Sequence, residues 1–192
     1  MKLHIGCGSR NFGEDWIHID GSSENIGGDD RIKGSFEHIK YHDITKLPFN
    51  NAAVDLIYSS HTFEYFDRDE CINILNEWIR VLKKGGVIRL AVPDFEAMAN
   101  LYVTDNISLD RFIGPLYGKW KMTDNLTVYH KTVYDFKSLK KVLENAGLQD
   151  IRNWDWINVE HGHIDDYSQS YIPHMDKQNG TLVSLNIEGT KI

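Results

Sequence analysis

The sequence predicts an α/β fold: a doubly wound, mostly parallel sheet with an antiparallel last strand. Three observations predict it. Short apolar runs alternate with segments of helical spacing as far as residue 150, the pattern of repeated βα units. The first run, Lys2 to Ile5, stops at Gly6-Cys7-Gly8, where the lack of a Cβ lets backbone amides approach a ligand. No helical pattern separates the last two runs, 150–157 and Thr181 to Ile187, so they read as an antiparallel pair.

The 192 residues suffice for one α/β domain, read here as a single unit over 1–192. A hydrophobic content of 41% with 26% charged residues is ordinary for a globular protein. The net charge of −7 disfavours binding to nucleic acid, and no Lys/Arg block offsets it; Lys137 to Lys141 reads as a solvated helix face. Cys7 and Cys71 have no Cys-x-x-Cys spacing, which points away from a disulfide framework or zinc knuckle and towards a reducing cytoplasm. No apolar run approaches a membrane span, and no leader is expected ahead of the first strand.

After the first strand, Ser9 to Asp15 are too few for a crossover helix, so an abbreviated turn leads to a second strand, Trp16 to Ile19. Gly21 to Gly34, rich in Gly, Ser, Asn and Asp, reads as a loop. Ile39 to His42 is a short third strand and Val54 to Ser59 a buried fourth. Asp67 and Glu70 form a capping-box pattern for a helix carrying Ile72, Leu75, Trp78, Ile79 and Leu82, stopped by Gly85-Gly86. Val87 to Val92 is the fifth strand, broken by Pro93-Asp94. Asp94 caps a helix with Phe95, Met98, Leu101 and Tyr102 on one face, and Ser108 starts another that ends by Gly114-Pro115. Trp120 to Tyr134 reads as irregular. Asp135 caps a helix with Phe136, Leu139, Val142, Leu143 and Ala146 inward, closed by Gly147.

Asp20, at the tip of the second strand, can accept hydrogen bonds from both hydroxyls of a ribose. The third glycine of the dinucleotide fingerprint is missing, with Asn11 in its place. Asp20 follows Gly8 by only 12 positions, against about 20 in that motif. No Gly-Lys-Ser/Thr is present. A nucleoside without a pyrophosphate therefore fits better than a nicotinamide dinucleotide, and a tight structural turn at Gly6 and Gly8 is the plain alternative.

Leu3-His4-Ile5-Gly6-Cys7-Gly8, Asp20, Asp43 ahead of Leu47-Pro48-Phe49, Val54-Asp55-Leu56-Ile57 and Arg80-Val81-Leu82-Lys83-Lys84-Gly85-Gly86-Val87 stand in one order. They resemble class I S-adenosylmethionine-dependent methyltransferases over about residues 2 to 150. The resemblance implies a Rossmann-like sheet and S-adenosylmethionine as cofactor. It implies Gly6, Cys7 and Gly8 against the methionine and ribose, Asp20 on the ribose hydroxyls, Asp43 at the adenine amino group, and Ile44 against the ring. Ser59, Ser60 and His61 would line the boundary between cofactor and substrate. The tail Ile172-Pro173-His174-Met175-Asp176-Lys177 resembles small bacterial methyltransferases associated with surface sugars. Three departures stand out: His4 where the family often has an acidic residue, the truncated first crossover, and no covering helix before the first strand.

Methyl transfer to a hydroxyl needs an aligned acceptor and a base. His61 and His130 are the candidate bases, against the plainer readings of a loop anchor and a surface histidine. Asp94 is a third catalytic candidate, although helix capping already explains it. Two stretches are long enough to cover the strand tips: an insert at about 94–134, and a β-hairpin loop at about 158–180 carrying His161, His163, Asp165, Tyr167, Tyr171, His174 and Asp176. They are expected to meet over the tips with the acceptor pocket between them. His161 and His163 with a carboxylate are only a weak metal pattern, and no metal site is expected. The expected function is O-methylation of a small polar acceptor, a sugar or glycan favoured, with homodimerisation one way to close the site. The rivals are a non-catalytic cofactor-binding partner and, more remotely, a nicotinamide dehydrogenase.

Overall fold

The computed structural model describes residues 1–21, 35–41, 43–123 and 125–192. The loop expected at Gly21 to Gly34 and the end of the third strand at His42 fall, from residue 22 on, outside the described residues. The strands are β1 (Lys2–Ile5), β2 (Trp16–Ile19), β3 (Ile39–Tyr41), β4 (Val54–Ser60), β5 (Leu82–Pro93), β6 (Trp120–Thr123), β7 (Leu126–Val128), β8 (Leu148–Asn153), β9 (Tyr171–Ile172), β10 (Thr181–Leu182) and β11 (Ser184–Lys191). The described helices are α1 (Glu70–Val81), α2 (Phe95–Thr104), α3 (Asp110–Tyr117) and α4 (Phe136–Asn145), with single 3-10 turns at Phe63–Tyr65, Trp156–Asn158 and Tyr167–Gln169.

Seven strands form one sheet in the order β3-β2-β1-β4-β5-β11-β8. β1 runs parallel to β2 and β4, β2 to β3, and β4 to β5. β11 is antiparallel to both β5 and β8, as the missing crossover helix requires. The C-terminal tips of β1, β2, β4 and β5 thus share one edge, where ligands of open α/β sheets bind.

Strand alternation gives the sheet two unlike faces. Leu3, Ile5, Ile57, Ile88, Leu90, Leu185 and Ile187 pack with Leu75 and Trp78 of α1 and Leu139 and Leu143 of α4. The opposite face carries His4, His18 and Tyr58, with Arg89 and Glu188 paired at its far side. Among the described residues the elements packed on it are loops. The β1–β2 connection has no helix; its Phe12 stacks between His4 (4.0 Å) and His161 (4.5 Å), and its N–H donates to His18 Nε2 at 2.8 Å. Tyr58 donates to Asp166 Oδ2 at 2.5 Å, and Asn186 Nδ2 donates to the Ser168 carbonyl.

Several expectations need correction. The inward stripe of α1 is Cys71, Ile74, Leu75, Trp78 and Val81, while Ile72 is 52% exposed. Leu82 is buried but already belongs to β5, whose strand geometry runs through Gly85-Gly86. The Asp67–Glu70 box forms: Glu70 N–H donates to Asp67 Oδ1, and Asp67 N–H to Glu70 Oε2. On α2 only Met98 and Leu101 are buried; Phe95 and Tyr102 face out. α3 continues through Pro115 to a left-handed Gly118. The stretch read as irregular contains the antiparallel β6–β7 hairpin. The last segment divides into β10 and β11.

Candidate active site at the strand tips

Gly6 has φ +71, and a Cβ there would lie 1.9 Å from Thr62 Oγ1. Glycine therefore lets Thr62, just past β4, pack down on the tip of β1. Gly8 (φ +54) is open above its Cα, the nearest atom to an added Cβ being the Arg10 guanidinium at 3.7 Å. Gly6 N–H donates to the Ile19 carbonyl at 2.8 Å and Gly8 N–H to Asp20 Oδ2 at 2.6 Å. Asp20 Oδ1 accepts from Gly21 N–H at 2.7 Å. Asp20 thus organises the glycine turn at the place expected for a ribose contact. Cys7 contributes backbone only: its side chain is buried beside Ile39 and Phe36, and burial pushes its thiol pKa up.

Asp43 is exposed, and its Oδ1 accepts from Thr45 N–H, Thr45 Oγ1 and Lys46 N–H. The Thr45 hydroxyl holds its pKa below the usual carboxylate value. Ile44 is half-buried, its carbonyl accepting from Trp78 Nε1 at 2.8 Å. Ser59 and Ser60 are buried at the tip of β4, and the Ser59 hydroxyl has no partner.

His61 is held with φ +50, a costly conformation for a residue other than glycine, by its N–H bond to the Ala91 carbonyl. Its Nε2 lies 3.1 Å from Ser184 Oγ and its Nδ1 3.4 Å from Glu64 Oε1. His130 reaches the same carboxyl from the insert, Nε2 to Oε1 being 3.7 Å, while its Nδ1 meets the Pro115 carbonyl at 2.9 Å. A Cβ at Gly118 would stand 1.9 Å from His130 Nε2, so glycine there admits the ring. The insert is tied to the tip of β4 by Lys131 and Thr132 N–H bonds to the Glu64 carbonyl. Burial lowers the pKa of both histidines, His61 to about 3, and pushes Glu64 up to about 8. The two candidate bases thus converge on a residue that the sequence reading missed. The one available signal was the His61–Glu64 spacing of three, which a single helical turn brings together.

Asp94 does not join this group: its Oδ1 accepts from Ala97 N–H as the α2 cap, and burial raises its pKa beside Glu96 and Asp135. Of the hairpin loop, Tyr167 reaches the site, 5.4 Å from the His61 ring and under the Arg10 guanidinium. His161 is buried on the loop-covered sheet face instead, since Phe12 and Tyr58 give its ring a stacking place. His163 is exposed, so the two do not converge. Ile172 packs into the cluster of Met98, Leu101, Phe112 and Val183, which joins the loop to the insert.

A cleft of about 350 Å³ opens at His130, lined by Phe95, Leu116, Tyr117 and Thr132 among others. A larger groove of about 520 Å³ runs between α1 and α4. No expected site residue lines it, so the smaller cleft is the one that bears on the chemistry.

Residues 3–90 match the family model described as a methyltransferase domain. The match spans a little under half of the chain. No functionally curated protein matches the sequence. Among solved structures, the chain is similar to an S-adenosylmethionine-dependent methyltransferase from Thermotoga maritima, described as a possible histamine N-methyltransferase. The TM-score is 0.61 at 17% identity, covering 100% of this chain and 82% of that one. S-adenosylmethionine-dependent methyltransferases from Archaeoglobus fulgidus (0.56, 15%, covering 99% and 85%) and Methanosarcina mazei (0.56, 17%, covering 100% and 92%) share the fold. The chain shares the Rossmann-like, mostly parallel sheet of these structures. Its strand tips fit the cofactor: an open left-handed Gly8, a carboxylate at the tip of β2, and the unpartnered Ser59 hydroxyl. His4 takes no part, because its ring points to the other face under Phe12. No helix among the described residues is long and apolar enough to cross a membrane.

Proposed function

We propose that the chain is an S-adenosylmethionine-dependent methyltransferase, working in the cytoplasm, that methylates an oxygen of a small polar acceptor, with a sugar or sugar-containing glycan favoured. The observation that carries the reading is the pair of half-buried histidines converging beside the glycine turn, one of them lining a cleft. A hydroxyl must lose its proton as the methyl arrives, and a neutral imidazole takes it near physiological pH. Bound S-adenosylmethionine supplies the electrophilic methyl. In this reading Gly6 and Gly8 hold the methionine end, Asp20 the ribose, and Asp43 with Ile44 the adenine; Ser59 and Ser60 border the acceptor. Tyr117 and Phe95 give the cleft exposed aromatic faces of the kind on which sugar rings stack. The insert 94–134 and the loop 158–180 serve as the cover that excludes water.

The test begins with calorimetry using S-adenosylhomocysteine; folded protein that binds none at millimolar ligand overturns the cofactor assignments. A panel of sugars, glycans and amines is then screened for S-adenosylhomocysteine release. Turnover of amines alone would replace the oxygen acceptor by nitrogen, the kind suggested for the Thermotoga protein.

A further inference from the structure

We propose that Glu64 is a positioning residue of this site, a neutral acid that shares one proton with His61 and His130 and makes the two rings one proton-accepting unit. The inference rests on the reading that a hydroxyl acceptor is deprotonated at these histidines.

The hydrogen-bond directions can be followed from the far end. Asn186 Nδ2 donates to the Ser168 carbonyl, so its Oδ1 is an acceptor and takes the Ser184 hydroxyl proton at 3.0 Å. With that proton committed, Ser184 Oγ can only accept from His61, whose Nε2 therefore carries the hydrogen. His61 Nδ1 then presents a lone pair 3.4 Å from Glu64 Oε1. On the other side the Pro115 carbonyl can only accept, so His130 Nδ1 is the protonated nitrogen. Its Nε2 presents a second lone pair, 3.7 Å from the same oxygen. The Glu64 side chain is fully buried, and neither carboxyl oxygen has another partner. A carboxylate between two imidazole lone pairs, away from water, would be repelled by both. A carboxylic acid there donates to one ring or the other.

The surroundings agree. Among the described residues no lysine or arginine pairs with the carboxyl. The neighbouring Lys131 ammonium is engaged by Glu70 at 2.7 Å. Tyr134, the other titratable group at its edge, has its own pKa raised, chiefly by burial. Arg10 acts on the His61 side, where its charge further disfavours an imidazolium. The proton balance of the step follows. His130, which lines the cleft, takes the acceptor's proton on Nε2 as the acceptor O–H bond breaks. Glu64 keeps its own proton turned towards His61 Nδ1, which leaves a carboxyl lone pair to accept from the new His130 Nε2–H. The lone-pair conflict at His130 thus becomes a charge-assisted hydrogen bond.

The first experiment needs no acceptor. The infrared difference between the protein and Glu64→Gln at neutral pH should contain a protonated carboxylic acid band that the variant lacks. Carboxyl-carbon NMR of glutamate-labelled protein should show one resonance still in its acid form at pH 7, a measurement that stands even if the variant fails to fold. Nitrogen NMR should find His61 protonated at Nε2 and His130 at Nδ1. A carboxylate-only difference spectrum, with every glutamate titrating in the ordinary range, overturns the proposal. With an acceptor in hand, Glu64→Gln should lose about 10²-fold in kcat with unchanged S-adenosylhomocysteine affinity. An acid form at Glu64 without any turnover of hydroxyl acceptors would defeat the functional reading and leave the protonation intact.

Discussion

The two faces of the sheet are built from the same strands on opposite principles. Leu3 and His4 are neighbours in β1; one lies in the aliphatic core under α1 and α4, the other in a stack of rings under a loop. The helical face is stabilised by apolar burial, which is non-directional and insensitive to pH. The loop face is held by directed groups: Phe12 N–H on His18, Tyr58 on Asp166, Arg89 and Arg152 on Glu188. A connection of a few residues has too little apolar surface of its own to cover a sheet. It succeeds here because the strand side chains beneath it supply hydrogen-bond partners and flat rings. Stability on this face therefore depends on protonation state.

The largest effect is expected on the helical face. Trp78 is fully buried in α1, and its Nε1 caps the Ile44 carbonyl. Trp78→Ala should cost about 3–5 kcal/mol in urea unfolding, equally at pH 7 and pH 5. A loss that grows sharply towards pH 5 would mean that the faces are not independent.

The loop face should set the acid limb. Burial lowers the pKa of His4, of His18 to about 4 and of His161 to about 3. The unfolded chain binds protons near 6.5 that the folded face refuses, so stability falls as pH drops below about 6.5. His18 and His161 each contribute about 2 kcal/mol to the loss between pH 7 and pH 5, and His4 adds to it in the same direction. His4→Leu should make that loss smaller, while Leu3→Ala lowers the whole curve without reshaping it. An unaltered acid limb in His4→Leu would end the contrast. Glu64 acts with the opposite sign: raised to about 8, its stabilising contribution is present below its ordinary 4.5 and is lost as pH rises through 8.

What could be read from the sequence follows this division. Apolar periodicity and caps placed α1, α4 and the strands of the seven-stranded sheet in order, because a buried aliphatic face leaves a regular pattern, whereas the small β6–β7 and β9–β10 pairs left none. The short first crossover was readable from its length, but the role of Phe12 was not. Its partners, His4, His18 and His161, are distant in sequence and have no common period. The same holds at the site. Gly6, Gly8 and Asp20 stand where local motif reading put them, whereas Glu64 joins His61 and His130 only through the path of the 94–134 insert. The α2 cap at Asp94 was legible because it is a local signal.

A smaller effect than the face mutations is expected at Asp20, which borders both layers. Asp20→Ala removes the acceptor of the Gly8 N–H and, in the proposed role, of the ribose hydroxyls. S-adenosylhomocysteine affinity should fall by about 1.5–3 kcal/mol in calorimetry. If affinity is unchanged, the ribose assignment fails and the carboxylate only shapes the glycine turn.

The smallest effect is expected at Asp43, where the helical face meets the proposed adenine end. Its Oδ1 is committed to the Thr45 and Lys46 turn, and the next residue, Ile44, is anchored by Trp78. Asp43→Ala should therefore cost about 1 kcal/mol of stability as a lost turn cap, since the Trp78 anchor holds the backbone in place. Any further contribution is to recognition. The other carboxylate oxygen is the one left to accept from an adenine amino group, so the variant should lose discrimination between adenosine- and inosine-based cofactor analogues. Full discrimination in a folded variant would mean that Asp43 is a turn residue alone, and that the adenine end is gripped by Ile44 and the helical face beneath it.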